Sequence, residues 1–187
     1  DSLLGWLRTH LPQPCPVHWA QRTISRAATS GGEAHDSVSP QAFVALCSEH
    51  AFALHWQANG LGYGVRHTQL APLAQGHWVL LNGTRAYLPE ALARFPDLVA
   101  VHITASPQVL RERLLARGRE TNEEVAARVQ RALAYTPPPG AASLEVHNDG
   151  ALGDAGQRLL NALGNLPGWP AHSGKLSPIA PILSSTP

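Results

Sequence analysis

The chain has 187 residues, is 44% hydrophobic and 14% charged, and carries a formal net charge of +1. That size fits one domain, with room for a small inserted subdomain. No run of about 18 apolar residues could span a membrane, and the near-neutral charge argues against broad nucleic-acid binding, which needs a basic face.

Of the 14 cations 13 are Arg, and Lys175 is the only Lys. Arginine presents a planar fork that matches phosphate and carboxylate. Codon usage in a GC-rich genome explains the ratio as well, so position rather than number must carry any functional case. Cys15 and Cys47 lack metal-ligand spacing and are expected to be free thiols in a reducing cytoplasm. The chain contains no Met and begins abruptly at Asp1, so a trimmed front end is expected.

Leu3, Leu4, Leu7 and Leu11 recur at helical spacing, with Asp1 or Ser2 as cap and Pro12 as stop. Val17 to Gln21 reads as a strand, and 23–39 as a polar, irregular functional loop. Ser39 caps a short helix from Pro40 to Cys47, with Phe43, Val44 and Leu46 expected to face inward. A strand from Phe52 to Gln57 meets a hairpin-like segment in which Gly60, Gly62 and Gly64 bracket Leu61, Tyr63 and Val65. Residues 67–75 read as a helix, with Pro72 inside it.

The second half alternates more cleanly. Strands are expected at His77–Leu81, Leu98–Thr104 and Leu144–His147, and helices at Ala86–Arg94, Pro107–Ala116, from about Asn122 to Tyr135, and Gly150–Leu163. From Asn165 onward Pro, Ser and Gly dominate, so 165–187 is expected to be a disordered tail. Strands separated by helices of 10–15 residues imply βαβ units and a parallel sheet, with ligands at the carboxyl ends of its strands. The residues there are polar: Arg22 to Arg26, Asn82-Gly83-Thr84-Arg85 and Asn148-Asp149-Gly150.

The densest chemical signal is 111–132, RERLLARGRETNEEVAARVQRA. Arg113 and Arg117 share a helix face, and Arg128 lies on the helix that returns. Guanidiniums aimed at one spot suit phosphoryl transfer, where catalysis is largely positioning and charge stabilisation. The competing reading is a solvated face in which Glu112, Glu120, Glu123 and Glu124 neutralise the arginines. Spacing alone leaves both open.

The run RLLARGRETNEEVAARVQRA resembles the lid of guanylate-kinase-like P-loop kinases. In the same order, Ser25-Arg26, Gly32-Glu33, Val38-Ser39 and Phe43 resemble the segment that binds the acceptor's phosphate. Trp56, Gly60 and Tyr63-Gly64 resemble a W…G…YYG segment, and Asn148-Asp149 the ND after the last strand. HWQANGLGYGV, LLNGTRAYLP, RGRE, RALAYTP and NDG are more specific and resemble the ribose 1,5-bisphosphate phosphokinases. Where guanylate kinases carry a base-recognising carboxylate before the Trp, this chain has His55; Val65, Thr29 and Asn82 replace other members of the guanine and phosphate sites.

The resemblance implies an α/β fold: a P-loop-kinase three-layer sandwich with a parallel sheet, comprising 1–164, with a substrate-binding subdomain at 22–66 and a helical lid at 113–128. It implies ATP and Mg²⁺ as cofactors and a sugar bisphosphate as substrate. Arg117 and Arg128, assisted by Arg113, would bind the nucleotide phosphates and stabilise the transferring group. Arg26 and Tyr63 would hold the acceptor's phosphate, with His35 beside them. Asn82 and Arg85 would orient the ribose end, and Asn148 would lie near the adenine.

In these kinases a strand and a GxxxxGK loop precede the first helix, and Asp1-Ser2-Leu3-Leu4 matches the continuation. Asp1 would stand near Mg²⁺ and Ser2 near the nucleotide phosphates. The expectation is therefore a chain lacking its first strand and P-loop, with an unfilled slot in its sheet and little kinase activity. A nucleoside-monophosphate kinase and a non-catalytic guanylate-kinase-like binding module are the alternatives. A homodimer is compatible with all three.

Overall fold

The computed structural model describes residues 2–26, 35–118 and 120–170, and the backbone of 182–185. Asp1 and 27–34, with Thr29, Gly32 and Glu33, lie outside the described residues.

A five-stranded parallel sheet forms the centre. Its strands are β1 (Val17–Trp19), β6 (Trp78–Gly83), β7 (Val99–Thr104), β8 (Ser143–His147) and β9 (Ile182–Ser185), in the order β1-β6-β9-β7-β8. β6 is buried along its whole length, as a strand covered on both faces must be. Its side chains alternate between two cores. Trp78 and Leu80 join Val99, Val101 and Val146 beneath α1 (Ser2–His10) and α7 (Leu152–Gly164). Val79 and Leu81 join Leu54, Val65, Leu88 and Leu98 on the other side, beneath α4 (Leu88–Arg94) and the second sheet. The expected three layers follow from that alternation.

The second sheet has the order β3-β2-β5-β4: β3 (Asp36–Ser37), β2 (Thr23–Ile24), β5 (Leu61–Arg66) and β4 (Phe52–Ala58). Two short strands thus lie where only an irregular loop was expected. β4 and β5 form the expected hairpin, pairing Trp56 with Tyr63 and His55 with Gly64. α2 (Pro40–Ser48) packs against it, capped by Ser39, whose hydroxyl accepts from the Ala42 amide at 3.1 Å. A Cβ on Gly62 would lie 2.5 Å from the Phe43 ring, and one on Gly64 2.5 Å from the Phe52 ring. The two phenyls stack at 5.0 Å. These glycines are therefore required by close approach rather than by a turn.

Val44 departs from expectation: it is 64% exposed, because the short helix turns only Phe43 into the core. The helix expected over 67–75 is one α-turn, α3 (His67–Leu70), that tightens to 3₁₀ over Ala71–Gln75. Pro72 has no N–H for an i→i−4 bond.

The end of the chain differs most. Asn165–Trp169 does not leave the domain. Trp169 is fully buried, packs edge-on against Trp78 at 5.0 Å, and the Trp78 indole donates to the Gly168 carbonyl at 2.9 Å. Nor is the slot in the sheet unfilled. β9 lies between β6 and β7, parallel to both, with Leu80↔Ile182 and Gly83↔Ser185 on one side and Val99↔Ile182 and His102↔Ser185 on the other. An open gap there would leave two rows of backbone N–H and C=O groups unpaired inside the molecule, and any extended segment that reaches it is favoured.

Candidate active site

Polar residues gather at the carboxyl ends of the parallel strands. A cavity of about 160 Å³ lies there, floored by leucines and rimmed by Ser2, Asn82, Ile103, Asn148 and Leu152. Ser2 begins α1, Asn82 ends β6 and is buried, and Asn148 follows β8. The structure thus brings together three residues expected around the nucleotide and ribose. Asp1 lies outside the described residues.

The Asn148-Asp149-Gly150 turn is anchored from both sides. The Asn148 amide donates to the Thr104 carbonyl at 2.8 Å. Asp149 Oδ1 accepts from the Ser106 amide at 2.5 Å, and that bond above all holds its carboxyl below the usual range. Arg113 donates to the carbonyls of Asn148 and, at 3.1 Å, Gly150. Arg113 therefore ties its helix to the cavity rim.

The segment expected to form a lid, 113–128, spans the end of α5 (Pro107–Arg117) and the first half of α6 (Asn122–Leu133). Gly118 ends α5 in the left-handed region at φ 63°, which suits glycine at a helix C-terminus. Thr121 opens α6 with a capping box: its hydroxyl accepts from the Glu124 amide, and Glu124 accepts from the Thr121 amide at 2.8 Å. Between the helices, Arg117 donates to Glu120 Oε1 at 2.9 Å, and Arg128 donates to the same oxygen. Burial pushes the Glu120 carboxyl up, but the Arg117 hydrogen bond and the two positive charges outweigh it and hold the group below its ordinary value. The carboxylate pairing that the competing reading expected is present at Glu120. That one carboxylate draws two guanidiniums onto a single anionic oxygen.

In the small sheet, outside that cavity, Arg26 follows β2, and its Nε donates to His35 Nε2 at 3.2 Å. The Tyr63 ring stacks on Trp56 at 5.7 Å, and Trp56 stacks on Tyr87 at 5.3 Å. Tyr87 sits in the turn just beyond Asn82-Gly83, so this aromatic row joins the small sheet to the end of β6. Ser25 closes the same corner, its hydroxyl accepting from the Gly62 amide at 2.7 Å.

Arg85 and His55 lie apart from the residues just described. Arg85 turns toward the lid: its guanidinium lies 4.6 Å from the Tyr135 ring centre, with Nη2 3.5 Å from the Ile103 carbonyl. Packing on an aromatic face offsets part of the cost of burying that charge. His55 is exposed beside Phe52, and strand alternation sends it to the face opposite Trp56 and Tyr63. Arg22, Tyr87 and Tyr135 were not singled out from sequence. Arg22 stood in the polar stretch after β1, a signal too general to select it.

No protein-family profile matches the chain. Among solved structures, a guanylate kinase from Anaplasma phagocytophilum superimposes with a TM-score of 0.64 at 19% identity, covering 87% of this chain and 79% of that one. The fold is therefore that of guanylate-kinase-like enzymes. The ribose 1,5-bisphosphate phosphokinase PhnN of Burkholderia pseudomallei is 42% identical over 166 residues, 89% of this chain and 89% of that protein. The Chromobacterium violaceum protein of the same name is 44% identical over 163 residues, 87% and 86%. A Janthinobacterium relative is 44% identical over 163 residues, 87% of this chain but 36% of that longer protein. The chain belongs to the ribose 1,5-bisphosphate phosphokinase family.

Proposed function

We propose that the protein phosphorylates ribose 1,5-bisphosphate to 5-phosphoribosyl 1-diphosphate with ATP, in phosphonate breakdown. The observation that carries this is the 42% identity to a kinase of that name along 89% of both chains. ATP would supply the transferred phosphoryl group, and Mg²⁺, held near Asp1, would neutralise charge on its phosphates.

The residues present suit that chemistry. Arg117 and Arg128 already converge on one anionic oxygen, so both can turn to a phosphoryl group without new ordering. Arg113 holds the lid against the Asn148 turn, where Asn148 would face the adenine. Arg26, with His35 beside it, and Tyr63 would hold the acceptor phosphate in place for in-line transfer. Asn82, buried at the end of β6, would position the sugar. Asp1 is proposed to stand near Mg²⁺. Arg85 is proposed to support the ribose end indirectly, through its packing on Tyr135.

An ATP-coupled assay of the full-length protein, comparing ribose 1,5-bisphosphate with GMP, tests the reading. Faster turnover of the sugar bisphosphate is expected. Faster turnover of GMP would return the protein to the nucleoside-monophosphate kinases, and no turnover of either would favour a binding module.

A further inference from the structure

The helix pair that carries Arg117 and Arg128 has a small core of its own, made by Leu110, Leu114 and Val125. Just past the Ala134 cap of α6, Tyr135 meets the central sheet. Its ring lies 5.3 Å from that of His102 on β7, tilted by 53°. Strand alternation explains the meeting. Ala100 belongs to the core beneath α4 and the second sheet, so His102, two residues on, faces the same way. Arg85 arrives from the other strand. It closely follows Asn82, which rims the cavity at the end of β6. With Nη2 3.5 Å from the Ile103 carbonyl and its guanidinium 4.6 Å from the Tyr135 ring centre, Arg85 bridges the ends of β6, β7 and α6. The Tyr135 hydroxyl takes no part, being buried without a hydrogen-bond partner among the described residues. What Arg85 meets is the face of the ring, a seat that phenylalanine would also offer.

We propose that Tyr135 is a positioning residue for phosphoryl transfer: its ring, packed against Arg85 and His102, fixes the end of α6 and so sets Arg128 relative to the acceptor rim. This rests on the proposed function, which gives Arg128 the transferring group. Tyr135 follows Arg128 by two helical turns, about 10 Å along the axis. A rod that short and stiff carries any slip of its foot to the guanidinium. A misplacement of about 1 Å at a catalytic group costs about 100-fold in rate. The same seat joins the helix to the segment that begins at Asn82, so the acceptor end and the charge-stabilising end of the site share one frame.

The test assays the full-length wild type, Tyr135→Phe, Tyr135→Leu, Arg85→Gln and the Arg85→Gln, Tyr135→Leu double variant with ATP and ribose 1,5-bisphosphate. Tyr135→Leu should lower kcat about 10- to 100-fold and shift the acceptor KM less than about 3-fold. Tyr135→Phe, which keeps the aromatic face, should stay within about 3-fold of wild type in both. Arg85→Gln should lower kcat in the same way, and the double variant should be no slower than the slower single one. A raised KM at unchanged kcat would overturn the proposal and make Tyr135 part of acceptor binding. Losses in Tyr135→Phe as deep as in Tyr135→Leu would also overturn it, as would additive losses in the double variant. Where Tyr135→Leu unfolds at assay temperature, Arg85→Gln decides, and an unchanged kcat overturns the proposal. Amide exchange gives a readout independent of turnover. Tyr135→Leu and Arg85→Gln should raise exchange over Arg128–Ala134 at least about 3-fold, and Tyr135→Phe should not; unchanged exchange in both overturns the proposal. A wild type that turns over GMP, or neither acceptor, defeats the proposed function instead, and the exchange comparison still decides whether Tyr135 fixes α6.

Discussion

Gly64 carries a steric demand that its sequence context barely hints at. A methyl group there would press on the buried Phe52 ring, whose shift is opposed by Phe43. Gly64→Ala is expected to destabilise the fold by about 1–3 kcal/mol, the usual range for overpacking. The urea midpoint measures it, and an unchanged midpoint would show that Phe52 can move freely. His102 sets a pH dependence. Burial first, and then the nearby charge of Arg85, hold its pKa below the ordinary value, against the opposite pull of Glu145. The unfolded chain therefore binds a proton that the folded ring resists. This contribution is complete above about pH 6.5 and is lost as pH falls through the folded value. The urea midpoint should drop on acidification through that window, and His102→Gln should flatten the drop. An equally steep drop in the variant would assign the effect to other groups.

In the lid, a short connection brings two helices and two arginines to one carboxylate. Gly118 and the Thr121 capping box supply the turn that places Glu120 between Arg117 and Arg128. Thr121→Ala should cost about 1 kcal/mol, the usual loss for a helix cap, read as reduced amide protection at the start of α6. Arg117→Ala in the full-length enzyme should lower turnover more than about 100-fold while circular dichroism stays unchanged. Near-normal turnover would mean that Glu120 and the arginines form only a structural ion pair. This helix–turn–helix was legible in sequence because caps, a helix-ending glycine and helical spacing act within a few residues. The direction of Arg85 was not legible, since Tyr135 lies 50 residues away along the chain and only folding makes them neighbours.

For the molecule as a whole, the consequential feature is the closure of the sheet by β9. Removing residues 171–187 should strip both ladders and raise amide exchange in β6 and β7, at Leu80–Gly83 and Val99–His102, above that in β1 and β8. Equal protection with and without the segment would rule out β9 as a stabilising strand. Trp169 belongs to the same closure from the other direction. It fills the layer beneath α7 and against Trp78, so Trp169→Ala should cost about 3–5 kcal/mol, measured by chemical denaturation.

Hydropathy pattern and caps along the chain sufficed for the parallel-sheet class, most helices, the arginine-rich helix pair and the polar rim after β6 and β8. Each of these depends on signals within about ten residues: apolar runs, helical spacing, a Ser or Thr before a helix, a Gly after it. Long-range assembly was needed for the rest. β9 has no periodicity that separates it from a linker, and its strand state comes from two neighbours that leave ladder groups to satisfy. Strand pairing likewise put His55 and Tyr63 on opposite faces and brought the Arg22 guanidinium to 5.5 Å from the Tyr63 ring centre. A side chain's face depends on which residue it pairs with across the sheet, and no single strand carries that information.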